Sequence, residues 1–393
     1  MVPSLGKIHR YFHYFCRHLI DRAAVIGAGA KNADVLLLVR PDGIGDFVVW
    51  LDSARILRDH YSEKKIVLLA NQIFAELAEK LEYFDEVIAV DVKKFERDLG
   101  YRFKIVRQIR SLYAEIAIQP IYSRQFWVGD AMIRASGASQ RIGSEGDRNY
   151  LQPWQRRMAS HWYTQFVPAS GEKLTELERN IEFLQGMGLG EDVPRIATIS
   201  VVTELPPNLQ IKDDYFIVFP GAGSSKRIWS PRNYAEAARA IAEKTSWHMV
   251  ICGSSAEVEL ADTLIEAAAL EGSQTLAGRT SVPELVELIR GARMLIGSET
   301  SAVHIAAAVS TPSVCLLGGG HFGRFVPYPA SVGGVVPIPV FHKMKCYGCS
   351  WQCTQFHEVG QAVPCISAIS VEKVVAAVEV ILSARQVDVT APR

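Results

Sequence analysis

Short apolar runs alternate along this chain with longer stretches whose apolar residues recur every three or four positions. That is the rhythm of strands and helices in a parallel sheet covered on both faces. Val35–Val39 predicts a buried strand, Phe47–Tyr61 a helix, Lys65–Leu69 a strand, Phe74–Leu81 a helix, and Val87–Val90 and Glu115–Ile121 two more strands. Between about Leu151 and Gln210 the pattern loosens. Glu176–Gln185 reads as a helix ended by Gly186–Gly190, and successive prolines in Glu204–Gln210 mark the approach to a linker. The rhythm then restarts, with strands at Tyr215–Phe219, His248–Cys252, Met294–Ile296 and Val314–Leu317. Helices are expected at Pro231–Lys244, Glu257–Leu270, Val282–Ile289, Val303–Val309 and Val371–Ala384. The pattern therefore predicts an α/β protein of two Rossmann-like, doubly wound parallel-sheet domains, 1–208 and 209–393. Such an arrangement places ligands in a central cleft between them, at the carboxyl ends of the strands.

Composition removes several function classes. Hydrophobic residues make up 49% of the 393 and charged residues 21%, an ordinary globular balance for two domains. Lys and Arg match Asp and Glu at 42 each, which argues against nucleic acid held by bulk charge, so any anionic ligand needs local clusters. No apolar run approaches the ~20 residues of a membrane span. Residues 1–22 interleave Arg10, Arg17, His13, His18 and Arg22 with Tyr11, Phe12, Tyr14 and Phe15, which is no signal-peptide core. They read as an amphipathic helix, packed on its own domain or touching the inner membrane peripherally. The expected compartment is the cytoplasm, where four of the seven cysteines crowded into Cys346–Cys365 suit a thiolate metal site better than disulfides.

Five loops carry candidate chemistry, and a sixth only resembles one. The stretch Val25-Ile26-Gly27-Ala28-Gly29-Ala30 resembles a dinucleotide fingerprint, but it lacks the third glycine and runs into a strand, so it is read as a plain loop. Arg40-Pro41-Asp42-Gly43-Ile44-Gly45-Asp46 follows a strand and opens a helix, with Gly43 and Gly45 permitting a tight turn. Asp46 there either caps the helix or takes a proton from an attacking hydroxyl. Phe219-Pro220-Gly221-Ala222-Gly223-Ser224-Ser225-Lys226-Arg227 offers backbone N–H groups, two hydroxyls and two cations, a cradle suited to a diphosphate. Ser230 and Pro231 also make it a normal helix start, and its spacing is not that of a P-loop. Glu299-Thr300-Ser301 with His304 enters an alanine-rich helix, either as a capped helix with a core histidine or as a ligand wall. Leu316-Leu317-Gly318-Gly319-Gly320-His321-Phe322-Gly323-Arg324 is another strand entering a glycine loop that carries a cation. Finally, Cys346-x2-Cys349-x3-Cys353-x11-Cys365 fits structural zinc, with an iron–sulfur cluster as the lesser option and a reduced, metal-free cluster as the alternative. Cys16, Cys252 and Cys315 read as ordinary buried residues.

In order and spacing these loops resemble the bacterial heptosyltransferase family of lipopolysaccharide core synthesis, glycosyltransferase family 9, with its GT-B fold. The carrying residues are the Gly-Ile-Gly-Asp turn ending at Asp46, the loop from Pro220, and Glu299-Thr300-Ser301 with His304. The likeness runs from about Val35 to Ile381. It implies that Asp46 is the catalytic base and that Gly45, Gly223, Ser224, Ser225, Lys226 and Arg227 line the donor's path. It also implies that Glu257 meets the adenosine or ribose, and that Glu299, Thr300, Ser301 and His304 complete the donor wall. Glu299 and Ser301 stand where the family has Asp and Gly. Arg40, Tyr122 and Arg124, followed by Arg134, Arg141 and Arg148, are candidates for an anionic acceptor; for the later three the plain reading is surface arginines in weak ion pairs. Related chains carry a C-terminal cysteine cluster as well.

The implied reaction is an inverting displacement that needs no metal or other cofactor for catalysis. It transfers a heptose or related sugar from a nucleotide-diphosphate sugar, an ADP-sugar by preference, to a glycan or glycolipid acceptor. Two competitors remain. A nucleotide-sugar epimerase would need the missing dinucleotide fingerprint. A non-catalytic nucleotide-sugar or glycan binder would exploit the altered Glu299 and Ser301.

Overall fold

The computed structural model describes residues 5–24, 32–147, 151–190, 193–358 and 360–390. The Val25–Ala30 loop and Arg148 lie outside the described residues, as do the side chains of Arg10, Tyr11, Phe12, His13 and Phe15. The chain divides into two compact units. The first comprises Met1–Phe47, Ser53–Glu172 and Arg179–Asp192; the second comprises Val48–Asp52, Lys173–Glu178 and Val193–Arg393.

The first unit is built on strands β1 (Asn32–Arg40), β2 (Lys65–Asn71), β3 (Glu86–Val90), β4 (Ala114–Gln119), β5 (Gln140–Ser144) and β6 (Gln165–Val167). They form one parallel sheet in the order β3-β2-β1-β4-β5-β6. The second unit uses β7 (Tyr215–Phe219), β8 (His248–Ile251), β9 (Gln274–Thr275), β10 (Leu295–Ser298), β11 (Ser313–Leu316) and β12 (Ile338–Val340). Its parallel order is β12-β11-β10-β7-β8-β9, the same winding read from the other edge. The α/β expectation of two doubly wound sheets holds. In each sheet the winding reverses beside the first strand, β1 or β7, and at such a reversal the loops part to leave a binding crevice.

Uninterrupted apolar runs locate the central strands. Val35 to Val39 and all five residues of β7 are buried, as strands covered on both faces must be. Polar or proline-bearing segments behave otherwise. β12 contains Pro339 and pairs only with β11, so its missing N–H faces no partner strand. The helix Leu99–Ser111 goes unread in the sequence because a charge, Arg102, occupies one of its inward positions. Arg102 is fully buried and donates two hydrogen bonds to Asp21, at 2.6 and 2.7 Å, and one to the Trp127 carbonyl at 2.9 Å.

Asp21 belongs to the N-terminal helix Leu5–Ala24, and Tyr14 of that helix stacks on Trp127 with ring centroids 4.9 Å apart. The C-terminal half of that helix thus packs on the first unit. No helix among the described residues is long and apolar enough to cross a membrane. Because Asp21 neutralises a buried guanidinium, Asp21→Ala should destabilise the first unit by about 3–5 kcal/mol. Urea unfolding followed by Trp fluorescence checks this; a loss under about 1 kcal/mol would contradict it.

Candidate active site

The first unit's candidate group stands where β1 passes into the helix Ile44–His60. Gly43 is the N-cap, so Asp46 is not the cap but the third helical residue, close to the positive end of the helix dipole. Its carboxylate lies beside Gly43, where a Cβ would come within 3.0 Å of Oδ2. Gly45 is the residue before it in the same turn. Two anchors fix Asp46. Phe47 is fully buried and stacks on Phe74 at 4.2 Å, and Arg40 donates through Nη2 to the Asp46 carbonyl at 2.9 Å. Arg40 also pairs with Asp42 at 2.7 Å and is 3% exposed, so it braces the turn from inside. Asn71, at the end of β2, ties the Asp42 carbonyl at 2.9 Å.

The other acceptor candidates divide. Tyr122 is half-buried under Arg179, whose guanidinium lies 4.1 Å from its ring centroid. Arg124 is buried, 3.5 Å from Asp130 and over the rings of Tyr163 and Phe166. The Tyr163 hydroxyl in turn lies 2.6 Å from Asp130 Oδ1 and also meets Gln119 Oε1. Burial pushes the Asp130 carboxyl up, against the pull of Arg124. Arg124 therefore serves an internal polar cluster. Nor are Arg134 and Arg141 loose surface charges: Arg134 covers the Trp162 ring, and Arg141 donates to the Trp162 carbonyl at 2.6 Å.

The second unit gathers its loops at the reversal between β7 and β10. After β7, Gly223, Ser224 and Ser225 are exposed and lead through the 3-10 turn Ser225–Arg227. Lys226 is half-buried and forms no ion pair among the described residues, while Arg227 reaches across to the β10 loop. Its Nη2 donates to the Glu299 backbone carbonyl and stands 3.9 Å from Glu299 Oε2. Ser298 closes the link by donating to the Arg227 carbonyl at 3.2 Å. Glu257 lies at the ends of β7 and β8, against Gly221 and Gly253, and accepts from the Ser254 N–H at 2.6 Å. It is thus already the capping-box partner of its own turn.

Behind Arg227 the site is buried. Glu299 is 5% exposed, and its Oε1 has no hydrogen-bond partner among the described residues; neither does the Thr300 hydroxyl. Thr300 is the N-cap of the helix Ser301–Ala308, with Ser301 its first residue. Burial drives the Glu299 carboxyl up to about 8, with Arg227 and Arg324 opposing. His304, also buried, bonds to the Tyr328 hydroxyl at 2.7 Å and is lowered to about 4 by burial and then by Arg227. His321 falls to about 4 for the same kinds of reason, burial first and then Arg324 and Arg227. Titrating groups displaced together at one loop cluster mark a working site more often than a structural one. Burial thus holds the Glu299 carboxyl toward its neutral form.

The four cysteines line one small pocket with Met344, Trp351 and Gly319. The expected zinc is nevertheless not supported: among the described residues no three His, Cys, Asp or Glu side chains group to hold a metal ion. The physical reason is local. Cys365 Sγ accepts from the Gly319 N–H at 3.4 Å, and the half-buried Cys353 thiol turns to the Gln355 carbonyl at 3.6 Å. All seven cysteines are free thiols.

The Glu299 environment has a sign that can be measured. Its folded value, about 8, lies above the ordinary 4.5, so its contribution to stability is full below 4.5 and is lost as pH rises through 8. The loss is at most about 1.4 kcal/mol per pH unit. Melting curves from pH 5 to 8.5 should fall more steeply for the native chain than for Glu299→Gln; parallel slopes would show a carboxyl ionised throughout.

The family model for glycosyltransferase family 9 (heptosyltransferase) matches residues 134–351. The chain is 23% identical over 231 residues to lipopolysaccharide heptosyltransferase 3 of Escherichia coli K12, covering 56% of this chain and 65% of that relative's length. The E. coli heptosyltransferase WaaC, solved with ADP, superposes with a TM-score of 0.68 at 14% identity, covering 88% of this chain and 99% of that one. The iron-containing dodecameric glycosyltransferase TibC of enterotoxigenic E. coli aligns with a TM-score of 0.54 at 13% identity, covering 90% of this chain and 80% of that one. With two Rossmann-ordered sheets, their loops at the winding reversals, and more than half its length matched by the family model, the chain belongs to glycosyltransferase family 9, the heptosyltransferases of GT-B fold.

Proposed function

We propose that this chain moves a heptose or a related sugar from an ADP-sugar to a lipopolysaccharide or kindred surface-glycan acceptor, with inversion at the anomeric carbon. The observation that carries the reading is the second unit's reversal point, where exposed Ser224 and Ser225 precede an arginine already tied to the neighbouring loop. Hydroxyls, N–H groups and a fixed guanidinium are what a diphosphate needs.

In the step itself, the Asp46 carboxylate takes the proton of the acceptor hydroxyl while that oxygen attacks the anomeric carbon. The bond to the diphosphate oxygen breaks on the opposite face, and its electron pair leaves with the nucleotide. Ser224, Ser225, Lys226 and Arg227 receive the charge, an electrostatic contribution that commonly dominates. Protonated Glu299 adds a donor instead of a repelling charge. Positive charge for the leaving group thus comes from side chains, and no divalent ion takes part in the step. Glu257 meets the adenosine, and Tyr122 lies on the acceptor side. The first unit serves the acceptor and the second the donor.

Asp46→Ala should lower turnover of an ADP-sugar by ~10²-fold or more while ADP affinity stays within twofold. ADP release in the presence of a heptose-deficient lipopolysaccharide core measures the first, and calorimetry the second. Native turnover by the variant would remove Asp46 from the chemistry.

A further inference from the structure

The cysteine-rich loop has no part in the step described above, yet it is stitched to the β7 donor loop and to the glycine turn that follows β11. The Val363 N–H donates to the Lys226 carbonyl at 3.0 Å, Gly348 to Gly319 at 2.8 Å, and Ser350 to Gly320 at 3.0 Å. At the centre of these bonds stands Trp351. Its ring fills the space a side chain on Gly318 or Gly320 would need, and the edge of His321 meets it with centroids 6.1 Å apart at 78°. Ser350 and Trp351 hold φ of +49° and +62°, a left-handed pair that brings the indole round onto the glycine turn. The indole N–H is buried with no acceptor among the described residues, so what this residue offers is its face.

That face is occupied by Arg227, whose guanidinium carbon lies 5.1 Å from the ring centroid. The same guanidinium bonds the Glu299 carbonyl. We propose that Trp351 is a positioning residue: it and the Glu299 carbonyl grip Arg227 from different directions, so that the remaining N–H donors are fixed before the donor diphosphate arrives. An unheld arginine would lose much of its rotamer freedom on binding, and a preformed one does not. Tryptophan is the best of the aromatic faces for this purpose. The inference rests on the reading of Arg227 as a diphosphate contact, and it gives the cysteine-rich loop a role in donor affinity.

The test is a double-mutant cycle on the full chain with ADP as the probe, read by calorimetry. Trp351→Leu should raise the Kd for ADP by about tenfold, and Trp351→Phe by about threefold. Combined with Arg227→Gln, either should add nothing beyond the effect of Arg227→Gln alone. If Trp351→Leu does not fold, Trp351→Phe carries the cycle. Losses that simply multiply, or no loss in the Trp351 variants while Arg227→Gln weakens ADP, would overturn the positioning role and leave the donor reading intact. Unchanged ADP affinity in Arg227→Gln would remove the donor reading of that residue and the proposal with it.

Discussion

A guanidinium bonded to a main-chain carbonyl is the device on which both units depend. Loops at a winding reversal leave neighbouring strands in different directions, and nothing in the sheet holds them to each other. In the second unit Arg227 supplies the missing link, from the β7 loop to the carbonyl of Glu299 after β10. In the first unit Arg40, the last residue of β1, reaches forward to the carbonyl of Asp46. Each bond fixes a turn that the glycines alone would leave with many conformations. An arginine suits the task because its several donors can bind a carbonyl and a carboxylate at once, as Arg40 does with Asp46 and Asp42.

The two arginines differ in what they have left to give. Arg40 is buried and spends Nη2 on its own turn, holding the Asp46 backbone in place. Arg227 is half-buried, and its surroundings are arranged so that a negative guest is the natural complement. Glu299 beside it is held neutral by burial, and His304 and His321 are kept from taking up protons. A charged carboxylate at that place would already neutralise the guanidinium and oppose an arriving diphosphate.

Much of this was legible in the residues, and the exceptions have a common cause. β7 is readable to the residue because five apolar side chains in a row have no other explanation in a doubly wound sheet. The turns at Asp46 and at Pro220–Arg227 announce themselves through glycines and small hydroxyls placed after strands. By contrast, Arg40 and Arg124 look like acceptor contacts in the sequence and are interior braces in the fold. Arg102 hides a helix because the Asp21 that neutralises it lies 81 positions away. Trp351 carries no local signal, although three consecutive glycines at 318–320 hint that something bulky must press there. Cysteine spacing suggested zinc, but spacing does not say where thiols point, and two of them turn to nearby backbone. Charge burial and side-chain direction are tertiary facts, set by partners far along the chain.

If the second unit's reversal point holds the donor's diphosphate, a crystal structure of the full chain with ADP bound should show it. Phosphate oxygens should lie about 2.7–3.1 Å from Ser224, Ser225 and Arg227, with Arg227 still lying over Trp351. Phosphates seated elsewhere, with those three side chains untouched, would contradict it.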